Sequence, residues 1–202
     1  MKPSITFTLD QLKGAIFGLV TGDALGVPVE FQPREKLKKN PVKTMRAYGT
    51  NNQPSGTWSD DSSLTFCLMD ALCEGYDLNQ IAEKFLEWLY ENLWTPHGRV
   101  FDIGVITNDA LKSIKRNPEL SPDLAGGKDE NDNGNGSLMR ILPLAFYIRD
   151  MSIEERYEKV RQVSSITHGH LRSVLCCFFY TEMVLQILQK KEKKEAFFET
   201  QK

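Results

Sequence analysis

Residues 59–75 read SDDSSLTFCLMDALCEG. Ser59 is a helix-capping residue type, because its hydroxyl oxygen accepts a hydrogen bond from a backbone N–H that a helix start leaves unpaired. Asp60 and Asp61 follow, and carboxylates there complement the positive end of the helix dipole by about 0.3–1 kcal/mol each. Leu64, Leu68 and Leu72 recur every four residues, which places them on one helical face, and Gly75 supplies the stop. A strand would alternate with period two, and this stretch does not.

The same signals recur on both sides. Thr8 with Gln11 forms a capping box ahead of Leu12, Ala15, Ile16, Leu19 and Val20. Asp77 caps a third helix lined by Ile81, Phe85, Trp88 and Leu89, and Asp102 a fourth lined by Ile106, Ala110, Leu111 and Ile114. Ser137 opens a fifth, with Pro143 expected to kink or break it. Ser152 with Glu155 makes another capping box, before Tyr157, Val160 and Val163. The last long helix is expected from about His170 to about Lys190. No segment alternates convincingly and no repeat has solenoid spacing. The predicted fold class is all-α, a multi-helix bundle in one domain over residues 1–189. Residues 32–57 and 117–136 read as long loops rich in Pro, Asn and Gly. Residues 190–202, KKEKKEAFFETQK, read as a charged, disordered tail.

A length of 202 residues with 41% hydrophobic and 26% charged residues fits one soluble globular domain. A net charge of -2 gives no polyanion-binding signal, so nucleic acid is not expected as a partner. Cys67, Cys73, Cys176 and Cys177 show no CxxC spacing, which leaves zinc unsupported and points to free thiols in a reducing compartment. The N-terminus lacks an apolar signal core, so a cytoplasmic location is expected. The run VLCCFFYTEMVLQIL (174–188) is too short for a membrane span and contains Glu182, so it reads as a core helix, and no membrane partner is expected.

Four clusters stand at expected helix ends: GDALGVPVE (22–30), SDDS (59–62), NGNGSLMR (133–140) and THGH (167–170). Hard cations such as Mg²⁺ take oxygen ligands, and Ser59, Asp60 and Asp61 offer three on consecutive residues. On the residues alone, a simple acidic helix start is the favoured explanation of SDDS, because acidic first turns are commonplace. Asp23 and Glu30 read either as site residues or as solvated acids at a helix exit. The glycines of NGNGSLMR leave backbone amides free for an anion, with Arg140 one turn on to assist or to pair with a carboxylate. Asp129, Asn131, Asn133 and Gly134 match the opening of a calcium-binding EF-hand loop, but Arg140 stands where that loop needs a bidentate carboxylate, so this reading is rejected. His168 and His170 lack a third ligand for zinc and read as capping, core or ligand-contacting groups.

Taken in order, the clusters carry a resemblance that none carries alone. Gly18 to Glu30 (GxxxGDALGxPxE), Gly56 to Ser62 (GxWSDDS), Asp102 to Gly104 (DIG), Gly134 to Arg140 (GNGSxMR), and Thr167 with His168 resemble the ADP-ribosylglycohydrolase family, of dinitrogenase-reductase-activating glycohydrolase and ADP-ribosyl-acceptor hydrolase type. The likeness runs from residue 12 to about 185. It implies an all-α hydrolase with two Mg²⁺ ions (Mn²⁺ in some members) in a cleft, which removes ADP-ribose from modified protein side chains or related compounds. Its partners would be ADP-ribose or ADP-ribosylated protein. On this pattern Ser59, Asp60 and Asp61 are metal ligands, with Ser59 in place of the usual threonine. Glu30, Asp61 and Asp102 are the catalytic candidates. Asn135, Gly136, Ser137, Met139 and His168 are the substrate-binding ones.

One departure bears on activity. The family carries a second acidic motif, D-x-D-[ST], toward its C-terminus, whereas Leu171 to Lys202 contains no aspartate and only Glu182, Glu192, Glu195 and Glu199 as acids. The chain is therefore expected to be C-terminally truncated relative to the family, and to associate through the surface the missing part would cover. Three readings follow: a metal-assisted hydrolase, a catalytically incomplete ADP-ribose binder or regulator, and a non-functional fragment.

Overall fold

The computed structural model describes residues 5–201. Met1–Ser4 and Lys202, which the expected boundaries include, lie outside them. Among the described residues there are nine α-helices and no strand, only an isolated bridge between Gly127 and His168. The helices are α1 (Leu9–Gly26), α2 (Arg34–Lys39), α3 (Asp60–Glu74), α4 (Leu78–Glu91), α5 (Val105–Arg116), α6 (Leu142–Ile148), α7 (Ile153–Ser165), α8 (Leu171–Leu188) and α9 (Lys193–Thr200).

Most caps are those read from the sequence. Thr8 and Gln11 exchange both capping-box bonds, at 2.8 and 3.1 Å. Ser59 Oγ accepts from Asp61 N at 3.3 Å, and Asp77 caps α4 through Asn79 and Gln80. Ser152 and Glu155 form the second capping box, and His170 Nδ1 accepts from Arg172 N to cap α8.

Four expectations differ from the structure. Gly104, not Asp102, caps α5, and Asp102 stands two residues outside with φ 57. Ser137 opens no helix, because it is fully buried in a turn and α6 begins at Leu142 with Pro143 in its first turn. Proline is well placed there, since its missing N–H would have had no helical partner anyway. The expected tail forms α9, whose Ala196 is fully buried. Finally, α8 falls where the last long helix was expected, but its apolar run is not too short: both α8 and residues 9–29 are long and apolar enough to cross a membrane by length and composition alone. Glu182 of α8 is spent internally, accepting from Arg156 Nε and Nη2 at 2.5 and 2.6 Å.

Two layers of core result. Leu64 and Leu68 of α3, Phe85 and Trp88 of α4, and Ile141, Val160 and Ile166 form the larger one. Ile16 of α1 meets Leu142, Phe146, Leu185 and Leu188 in the smaller, which fastens α1 beside α6 and α8. The site grows where α1 ends and α3 begins.

Candidate functional site

Asp23, in the last turns of α1, reaches across to the start of α3. Its carboxylate accepts from Ser59 N (2.9 Å), Ser59 Oγ (2.7 Å), Ser62 N (3.1 Å) and Ser62 Oγ (2.5 Å). This side chain therefore satisfies two of the N–H groups that a helix start leaves open. It is a staple between two helices, not a solvated acid at a helix exit. Held this way, the first turn of α3 keeps Asp60 buried, at 6% exposure, with Asp61 half-buried beside it.

Beyond α1, a 3-10 turn over Val27–Val29 delivers Glu30. Asn51 Nδ2 donates to Glu30 Oε2 at 2.7 Å, and Thr50 Oγ1 donates to the Glu30 carbonyl at 2.7 Å. The loop carrying Thr50 and Asn51 is pinned by Thr50 N donating to the Pro28 carbonyl. Gly49 lies so close to Pro28 that an added Cβ would overlap the Pro28 carbonyl. Gly49→Ala is expected to destabilise the protein by about 2–4 kcal/mol, because backbone rather than a flexible side chain must move. It should also loosen Glu30, and a thermal melt against Gly14→Ala, where nothing lies within 4 Å, checks the contrast.

Asp102 completes the group. Its left-handed backbone ends the approach to α5, and its carboxyl hydrogen-bonds to Glu30. Burial, the hydrogen bond to Asp102 and the charges of Asp102 and Asp61 raise Glu30 to about 7, against the opposing Asn51 bond. Burial, then the charges of Asp61, Asp102, Asp23 and Glu30, raise Asp60 to about 8. Burial, Asp23 and Asp102 raise Asp61 to about 6. Proton retention of this kind follows from packing carboxylates together out of water.

The glycine turn adjoins this group. Thr65 Oγ1 donates to the Asp61 carbonyl at 2.7 Å and lies 3.5 Å from the Met139 carbonyl, which sets α3 against residues 134–140. Gly136 is buried between His168 and Thr107: an added Cβ would lie 2.7 Å from His168 Cε1 and from Thr107 Oγ1. His168 is itself buried, its Nδ1 2.8 Å from Oγ1 of the preceding Thr167, and burial and the charge of Arg140 lower it to about 4, so the ring is neutral. Ser137 faces inward, toward Ser164 Oγ at 3.0 Å and Cys177 Sγ at 3.4 Å, and Met139 packs against the core. Of the expected substrate-binding residues, Asn135 is exposed, as is neighbouring Gly134.

Arg140 forms no ion pair with a carboxylate among the described residues. It is fully buried, donates to the carbonyls of Gly136 and Val163, and lies 4.7 Å from the Phe85 ring centre. Its Nε and Gln53 Oε1 are the buried side-chain polar atoms without a partner among the described residues. Asp23, Asn51, Thr107 and Arg140 are the residues whose parts the sequence did not disclose. Asp23 carried a signal as an acid inside GDALG and Arg140 as the end of GNGSLMR, whereas Asn51 and Thr107 carried none.

Donor chemistry suits a hard divalent cation in kind, since the group is all-oxygen and anionic. It is incomplete in number: among the described residues, no three Asp, Glu, His or Cys side chains gather as a metal-holding group. A cavity of about 750 Å³ lies elsewhere, beside Arg156 and Glu182, and one of about 160 Å³ borders Asn135, Arg172 and Cys176. The four acids line neither.

Comparison with known proteins shows the family and the fold. The profile of the family described as ADP-ribosylglycohydrolase matches residues 4–202. The chain is 33% identical over 189 residues to ADP-ribosylarginine hydrolase Tri1 of Pseudomonas putida, which covers 93% of this chain and 49% of that protein. It is 28% identical over 183 residues to ADP-ribosyl-[dinitrogen reductase] glycohydrolase of Rhodospirillum rubrum, covering 89% and 58%. A solved structure described as an ADP-ribosylglycohydrolase-related protein complex superimposes with a TM-score of 0.77 at 28% identity, over 93% of this chain and 59% of that one. The chain thus spans about half the length of the curated relatives it matches.

Proposed function

Because this chain belongs to the ADP-ribosylglycohydrolase family, we propose that it hydrolyses the glycosidic bond joining ADP-ribose to a modified protein side chain, with arginine first among the candidates because a Pseudomonas putida relative is described as an ADP-ribosylarginine hydrolase. The observation that carries this reading is the meeting of Glu30, Asp60, Asp61 and Asp102, with the 134–140 turn set against α3 through Thr65.

The residues supply acid–base chemistry. A group held near pH 7 is well matched to moving a proton at neutral pH, and Glu30 is the one so held. Glu30 takes a proton from the attacking water while the water oxygen bonds to the anomeric carbon. The bond from that carbon to the side-chain nitrogen breaks, its electron pair goes to the nitrogen, and the nitrogen takes up the proton that Glu30 received from water. Charge on the sugar builds in an oxocarbenium-like state, which neighbouring carboxylates stabilise. Asp102 fixes the Glu30 carboxyl, and the Asn135 side chain with the backbone of Gly134 and Gly136 would hold the substrate. Ser59, Asp60 and Asp61 would hold Mg²⁺ or Mn²⁺, which when bound orients the ribose hydroxyls and polarises water. The four free cysteines suit a cytoplasmic enzyme.

A second reading, an ADP-ribose binder without turnover, is favoured by the incomplete ligand group. Calorimetric titration of ADP-ribose with and without Mg²⁺ tests the site common to both. Binding is expected to strengthen at least tenfold with Mg²⁺ and to vanish in Asp60→Ala with Asp61→Ala. No binding by the folded chain under either condition would sink both readings. Release of ADP-ribose from an ADP-ribosylated arginine peptide then separates enzyme from binder.

A further inference from the structure

Helix α8 is covered on one side only. Val174, Cys177, Thr181, Leu185 and Leu188 are buried. The opposite row, Cys176, Phe179, Tyr180, Met183 and Ile187, is apolar at helical spacing and largely uncovered, with Phe179 47% and Ile187 40% exposed. On α1 the same holds beside Ile16. Phe17 is 67% exposed, and the exposed Gly14, Gly18 and Gly22 recur every four residues with nothing within 4 Å of an added Cβ. Glycine is the poorest helix former after proline, so three of them on an open helix face weaken α1 with no return inside these residues. Small residues at this spacing let another helix approach closely. Contiguous apolar helix faces of this kind mark interaction surfaces.

The comparisons bear on what covers these faces. The matched region takes in 93% and 94% of this chain but 49% and 50% of two curated relatives, so those relatives have as much chain again. We propose that the outer rows of α8 and α1 receive helices from the half of the family's fold that these 202 residues do not span, with the α1 glycines forming the groove and Phe179 and Phe17 the anchors. A bilayer is a poorer occupant, because the exposed side of α1 also carries Asp10 and Lys13. This inference goes beyond the proposed hydrolysis and does not depend on turnover.

The test co-expresses the chain with the unmatched half of the Pseudomonas putida relative, separately tagged, and measures association by sedimentation. A 1:1 complex is expected. Phe179→Glu and, separately, Gly18→Leu should each weaken it at least tenfold. Gly18→Leu puts a better helix former into open space, so the melting temperature of the chain alone should hold or rise, which separates lost docking from lost folding. Absence of a complex, or a complex indifferent to both substitutions, would overturn the proposal. So would a homodimer formed through the same residues, or their binding to phosphatidylcholine–phosphatidylglycerol vesicles.

Discussion

Asp60→Asn is expected to stabilise the cation-free protein at pH 9 by on the order of 3 kcal/mol, a rise in Tm of about 9 °C. The cause is the crowding of Asp60 by burial and by Asp61, Asp102, Asp23 and Glu30, which raises it from 3.8 to about 8. The sign follows from proton uptake. Between these two values the folded state holds a proton that the unfolded state has released. Stability from this group is therefore complete below about pH 4 and is lost as pH rises through 8. The wild-type protein in chelator should weaken across that window, whereas the asparagine variant should be flatter. Divalent cation should act in the opposite sense. Mg²⁺ that binds the folded state alone raises the wild-type Tm and leaves Asp60→Asn nearly unmoved. Thermal melts from pH 5 to 9, with chelator or with Mg²⁺, check both arms. A wild-type curve that rises toward pH 9 in chelator would contradict the crowding.

Asp23→Ala should do the reverse, although Asp23 belongs to the same acidic group. Removing its charge relieves Asp60 and Asp61, which roughly gains 1–2 kcal/mol at an effective dielectric near 20. Against that stand four hydrogen bonds to one carboxylate, two from backbone N–H groups of the α3 start. Bonds to a charged group contribute about 1.5–3 kcal/mol each when buried, less at half exposure. The hydrogen bonds win, and a net loss of about 2 kcal/mol, or about 5 °C in Tm, is expected. The loss should extend to function, because the turn that presents Asp60 and Asp61 would no longer be tied to α1. Asp23→Ala is thus expected to lose Mg²⁺-dependent ADP-ribose binding while Asp60 and Asp61 are both intact. Measuring stability and binding on the same samples decides it: unchanged binding would show that α3 holds its first turn alone.

The opposite signs expected at Asp23 and Asp60 illustrate where sequence reading reaches its limit. Both are acids beside small residues, and nothing in their neighbours along the chain distinguishes a hydrogen-bonded staple from a crowded, proton-retaining carboxyl. The difference lies in what a second helix brings within 3 Å. Arg140 makes the same point. Its place after GNGS suggested a partner for an anion or a carboxylate, but the fold encloses it beside Phe85 with two carbonyls as partners. Ser137 was expected to open a helix, and the proline six residues later takes that place because its ring suits a first turn.

By itself the sequence determined the helical class, most helix boundaries, and the order of acidic and glycine clusters that resembles the family. These are local properties: capping hydroxyls, a 3.6-residue apolar period and turn glycines act within a few residues of themselves. Tertiary structure alone decided which acids meet, that Asp102 leaves its expected cap to join Glu30, and that one row of α8 and the glycines of α1 remain uncovered. Those outcomes depend on contacts between residues 36 to 72 positions apart, as from Asp23 to Ser59 and from Glu30 to Asp102, and no pattern along the chain encodes which distant partner packing will supply.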